Sequence, residues 1–111
     1  MATRLFAMLM FAAFASVTTA SAQDAKLVAE GKKVYEAYNC KKCHRIDNVG
    51  SKVSPLDGVA TKLSADDIRK WMEHPDEMTA KLKKKPVVKM KKTDFKPGEL
   101  DALMAYLLTL K

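Results

Sequence analysis

Cys40 and Cys43 are the only two cysteines in the chain, and His44 directly follows the second. Two thiols and an imidazole this close in sequence can close a disulfide, hold a metal ion or join a porphyrin. A disulfide across two intervening residues closes a very short loop and gains little from chain entropy. A redox pair of thioredoxin type belongs in a strand–helix–strand setting, which this sequence lacks. Zinc asks for four ligands, and beyond these three residues the chain offers the distant His74. The remaining chemistry fits. Cys40-Lys41-Lys42-Cys43-His44 has the spacing for covalent haem attachment, in which the thiols add to two porphyrin vinyl groups and one turn of backbone reaches both. His44 is then held beneath the iron, where a neutral imidazole nitrogen can ligate it.

The rest of the composition agrees with that chemistry. Met1 to Ala22 reads as a secretory signal peptide, with Arg4 ahead of an apolar run from Leu5 to Val17 and Ala20-Ser21-Ala22 as the cleavage site. The apolar run is shorter than the about 20 residues that a bilayer crossing needs. Cleavage leaves one domain, residues 23–111, starting near Gln23 in the periplasm or outside the cell. At that size a hydrophobic core alone stabilises a fold marginally, and a bound cofactor supplies the missing apolar material. The chain carries a net charge of +7, one less once Arg4 is lost. Such a surface favours acidic protein partners or contact with an anionic membrane. Nucleic acid is the other common partner of a basic chain, and export excludes it.

Three helices must position the motif, and no alternating strand pattern accompanies them. The first spans Asp24 to Asn39, with Leu27, Gly31, Tyr35 and Tyr38 on one stripe. A glycine inside a helix costs about 1 kcal/mol, so Gly31 marks either a weak position or a close crossing by another helix. The second helix begins after Ser64, which pairs with Asp67 in the manner of a capping box, presents Ile68, Trp71 and Met72, and stops at Pro75. The third starts at Pro97, carries Glu99 and Asp101 in its first turn, and runs to Lys111. Its apolar face is Leu100, Leu103, Met104, Leu107 and Leu108. Loops punctuated by Gly50, Pro55 and Gly58 fill the stretch from Cys40 to Ser64, and a lysine-rich segment with one helical turn near Met78 to Leu82 fills Glu73 to Phe95.

These residues resemble the class I c-type cytochromes, in particular the short bacterial monohaem type, over nearly the whole mature chain. The likeness rests on Gly31-Lys32-Lys33-Val34-Tyr35 ahead of the haem motif, Ser54-Pro55-Leu56 after it, Ile68 to Pro75, and Ala105-Tyr106-Leu107 in the last helix. It implies an all-α cytochrome c fold, three main helices and loops wrapped around one covalent haem c. It also implies that the first and last helices cross at Gly31, near Leu103 and Tyr106. The activity implied is single-electron transfer without catalysis, by a monomer.

A carrier of this type fills both axial positions of its iron, and a methionine sulfur opposite histidine raises the reduction potential. Met72 and Met104 lie on apolar helix faces as core residues. Met90 stands in a polar, lysine-rich stretch and matches the family's axial methionine; Met78 and His74 are the alternatives. The family carries a proline after that methionine, whereas here Lys91 follows, and the iron–sulfur bond should be easier to displace. The resemblance further implies that the Pro55 carbonyl accepts a hydrogen bond from the free ring nitrogen of His44. For Trp71 two readings stand, a haem propionate bond through the indole N–H or core packing. Lys83, Lys84, Lys85, Lys89, Lys91 and Lys92 are expected to surround the haem edge and attract acidic redox partners. If Met90 is not a ligand, the alternative is an open iron site, as in a haem enzyme or gas-binding protein. A role as the electron-transfer subunit of a larger dehydrogenase or oxidase complex keeps the same chemistry.

Overall fold

A computed structural model describes residues 20–111, with side chains from Asp24 onward. Most of the expected signal peptide lies outside the described residues.

The first helix, α1 (Ala20–Ala37), ends two residues before the expected Asn39. Asn39 leaves the helix in the left-handed region, with φ at 53°, a conformation asparagine tolerates better than most residues. The reversal feeds a single 3-10 turn over Cys40–Lys42. Three short strands follow: β1 (His44–Ile46), β2 (Val49–Gly50) and β3 (Ser54–Pro55), in the order β2-β1-β3. Asp47 and Asn48 join β1 to β2 with φ values of 49° and 64°, so both central residues of this two-residue hairpin sit where the primed turn requires. β3 runs parallel to β1 at the sheet edge, where Pro55 deprives no neighbour of an N–H. The sheet is a correction to the expectation of loops alone. Its strands are too short to show alternation in sequence.

Four more helices complete the chain: α2 (Val59–Lys62), α3 (Ala65–Glu73), α4 (Pro75–Ala80) and α5 (Glu99–Leu107). Ser64 caps α3 as expected, its hydroxyl accepting from the Asp67 N–H at 3.1 Å. Pro75 does more than end that helix. It also opens α4, because a proline at the first helical position lacks only an N–H that would be unpaired there. The helical turn expected near Met78 to Leu82 therefore starts three residues earlier and ends two earlier. The last helix starts at Glu99 rather than Pro97, after Gly98 turns the chain with φ at 84°.

α1 and α5 cross at Gly31. A Cβ there would sit 1.9 Å from the Ala102 carbonyl oxygen and 2.8 Å from the Tyr106 Cβ, so only glycine lets the backbones meet. Of the two readings of Gly31, the close crossing holds. Tyr35 and Tyr106 pack edge to face beside it, their ring centroids 5.9 Å apart. Val34, Tyr35, Ile46, Ile68, Met72, Leu103, Met104 and Leu107 form the buried cluster that these helices enclose with β1. Leu108, expected on the same face, is exposed. No helix among the described residues is long and apolar enough to cross a membrane.

Candidate haem attachment site

The end of α1 delivers the two thiols on one turn. The Lys42 N–H donates to the Asn39 carbonyl at 3.0 Å and the Cys43 N–H to the Cys40 carbonyl at 3.1 Å. Both cysteines are free; Cys40 is half-buried against the core cluster, and Cys43 is exposed. Burial pushes the Cys40 thiol above its ordinary pKa, and the neighbouring Cys43 adds to the effect. A thiol held neutral in this way is a poor nucleophile for disulfide exchange, whose reactive cysteines have lowered pKa values.

The three strands sew this turn down. Ser51 donates its N–H to the Lys41 carbonyl at 3.0 Å, and Ser54 donates its N–H to the Cys43 carbonyl at 3.1 Å. Gly50 lies against the same backbone, with φ at 108°. A Cβ there would meet the His44 carbonyl oxygen at 2.1 Å. Gly50 is thus a positioning residue, although in sequence it looks like punctuation alone. The signal was available in the Asp47-Asn48 turn, which makes Val49 and Gly50 the returning strand. Tyr35 reaches across from α1 and donates its phenol to the His44 carbonyl at 3.4 Å. Burial, with Cys40 second, pushes the Tyr35 pKa up to about 12.

The ring of His44 is half-buried, and its Nδ1 lies 2.9 Å from the Ser54 carbonyl oxygen. A carbonyl only accepts, so Nδ1 carries the proton and Nε2 is left as the basic nitrogen. This corrects the expectation for Pro55. The parallel register sets His44 opposite Ser54 and Arg45 opposite Pro55, so the acceptor lies one residue earlier in the chain.

The remaining expected residues separate clearly. Met72 and Met104 are 7% and 5% exposed and belong to the core cluster. Every residue from Lys81 to Lys89 is exposed, as are Lys91 and Lys92, whereas Met90 between them is half-buried and packs on that cluster. Met78 is half-buried on α4. His74 is exposed where α3 gives way to α4. Trp71 is half-buried and stands outside the cluster that its neighbours Ile68 and Met72 join. Lys83, Lys84, Lys89, Lys91 and Lys92 are exposed. Lys85 is engaged: its Nζ donates to the carbonyls of Thr79 at 3.1 Å, Ala80 at 2.5 Å and Leu82 at 2.8 Å, at the C-terminal end of α4.

Among the described residues no three His, Cys, Asp or Glu side chains converge as a metal ion would need. Two unpaired thiols on one turn, followed by an imidazole with its Nε2 free, are instead the donor set of a covalently held haem. No curated protein and no solved structure matches this chain. The family model of cytochrome c does match, over residues 28–111, a span that contains the cysteine turn, the strands that pin it and the whole of α5. With that match and this donor set, the chain belongs to the cytochrome c family.

Proposed function

We propose that this protein is an exported single-electron carrier, working in the periplasm, with His44 and Met90 as the axial ligands of its one haem c. The family binds haem covalently and serves haem-based electron transfer. When bound, the haem supplies a one-electron couple at its iron. The chain's own residues hold it. Cys40 and Cys43 provide the thioethers, and the Ser54 carbonyl fixes the His44 ring so that Nε2 serves as the ligand.

The observation that carries the reading is the inward turn of Met90. It is the one residue between Lys81 and Lys92 that is not exposed, and it packs on the core cluster from within that polar stretch. Met78 and His74 lack that contact with the core cluster. With both axial positions filled by protein there is no place for a substrate, which favours a carrier over an enzyme. Trp71, half-buried and outside the core cluster, is suited to donate its indole N–H to a propionate.

Lys83, Lys84, Lys89, Lys91 and Lys92 are exposed along one lysine-rich segment, and an acidic redox protein is the partner that fits them. Lys85 leaves that group because α4 occupies its ammonium. The leader pattern of residues 1–22 supports export. The reduced holoprotein exposed to carbon monoxide tests the reading. A six-coordinate carrier converts only slowly, as carbon monoxide displaces the methionine sulfur, whereas conversion complete on mixing would mean an open iron site.

A further inference from the structure

His74 and Met78 are two potential metal donors that the haem site leaves over. Met72 and Met104 are core residues and Met90 packs on the core, whereas Met78 is half-buried and stands outside that cluster. His74 is exposed at the joint of α3 and α4. Backbone bonds continue through this joint. The His74 N–H donates to the Lys70 carbonyl at 2.7 Å, and the Met78 N–H donates to the His74 carbonyl at 3.1 Å. One closed helical turn therefore separates His74 from Met78, the spacing at which two side chains become neighbours. α4 turns Pro75 and Thr79 into the protein. The pair one residue earlier is left at the rim.

An imidazole nitrogen and a thioether sulfur together suit a soft cation, and copper in its cuprous state accepts both. Zinc would need further imidazoles, thiolates or carboxylates gathered round His74. Among the described residues no three His, Cys, Asp or Glu side chains converge in that way. The local charge also favours a cation. Glu73 to Glu77 holds three acids and neither lysine nor arginine, in a chain of net charge +7. Arg69 engages Glu73 at 3.5 Å, but Asp76 and Glu77 are exposed and keep the field beside His74 negative.

We propose that His74 and Met78 bind one cuprous ion at the joint of α3 and α4, through an imidazole nitrogen and the Met78 sulfur. The site uses none of the haem donors. Cys40, Cys43 and His44 lie on and just after the turn that follows α1, and Met90 lies in the segment beyond α4. Two donors at the protein rim hold the ion reversibly, with its remaining side open to solution. The proposal stands whether or not the protein carries electrons. It requires only that the sulfur of Met78 is not taken by the iron.

Silver(I) is the first probe, because it shares the soft donors of copper(I) and keeps one oxidation state beside ferric haem. Calorimetric titration of the ferric holoprotein in chloride-free buffer, with both thiols tied up as thioethers, should show one silver ion per chain. His74→Gln and Met78→Leu should each weaken binding by about tenfold or more. Zinc should bind far more weakly than silver. The ferrous holoprotein under ascorbate should hold one copper(I) with the same dependence on both residues. Silver affinity unchanged in Met78→Leu would overturn the proposal, since an imidazole alone would then account for it. Zinc bound as tightly as silver would overturn it as well. So would silver that bleaches the weak red band of the ferric protein, which would set the ion on the iron's own sulfur. A red band missing from Met78→Leu before any metal is added would overturn both this site and the Met90 reading. If Met78→Leu does not fold, His74→Gln at its exposed position decides, and unchanged affinity there overturns the proposal.

Discussion

Gly50 lies so close to the backbone of His44 that a Cβ on it would come within 2.1 Å of the His44 carbonyl oxygen. That approach, together with the two hydrogen bonds from Ser51 and Ser54, presses the returning strands onto the cysteine turn. The site is therefore held from outside the motif as well as by it.

Replacing Gly50 by alanine should destabilise the holoprotein by about 2–4 kcal/mol, since it adds a backbone clash to a φ of 108°. Denaturant unfolding measures the loss. Because His44 moves with its carbonyl, the same variant should broaden or shift the haem absorption. An unchanged stability would mean that the strands do not brace the motif.

Gly31→Ala offers a test in which the sign itself is informative. In an isolated helix this change gains about 1 kcal/mol. At the crossing the new methyl group would meet the Ala102 carbonyl at 1.9 Å, and the two helices must part. A net loss of about 3 kcal/mol or more is expected in thermal or denaturant unfolding. A gain would contradict the crossing.

Tyr38 donates its phenol to the Glu99 carboxylate, joining the end of α1 to the first turn of α5. The bond from Tyr38, and then the one from the Lys96 N–H at 2.9 Å, hold Glu99 below its ordinary pKa of 4.5. A lowered folded pKa contributes stability that is present above the unfolded value and lost as pH falls through the folded one. Stability should therefore fall on acidification below about 4.5, and Glu99→Gln should flatten that slope. Tyr35 acts at the other end of the scale. Its raised pKa contributes stability that is complete below 10 and lost as pH rises toward about 12. Tyr35→Phe should remove that alkaline component, read from unfolding midpoints across pH.

The cysteine turn was fully legible in sequence because its chemistry depends on local spacing, and Cys40, Cys43 and His44 are neighbours whatever the fold. Gly31 was half legible: a glycine inside an apolar stripe announces a conflict, but the crossing partner lies on a helix 71 residues away, at Ala102. The Ser64 cap was readable for the same local reason as the motif. Ser54 was not. Which carbonyl faces the imidazole depends on the register of β1 against β3, and a displacement of one residue separates Ser54 from Pro55. Lys85 looked like its neighbours because its distinction arises only when the loop folds back on α4. Pro75 looks like a stop in sequence, although the same missing N–H makes it a start.

The proposed bond from the Met90 sulfur to the iron opposite His44 has its own signature, the weak red absorption band of the oxidised protein, which arises from an iron–sulfur bond. The band should be present in the native protein and in Met78→Ala, and lost in Met90→Ala. A band that survives Met90→Ala would assign the sulfur to another residue.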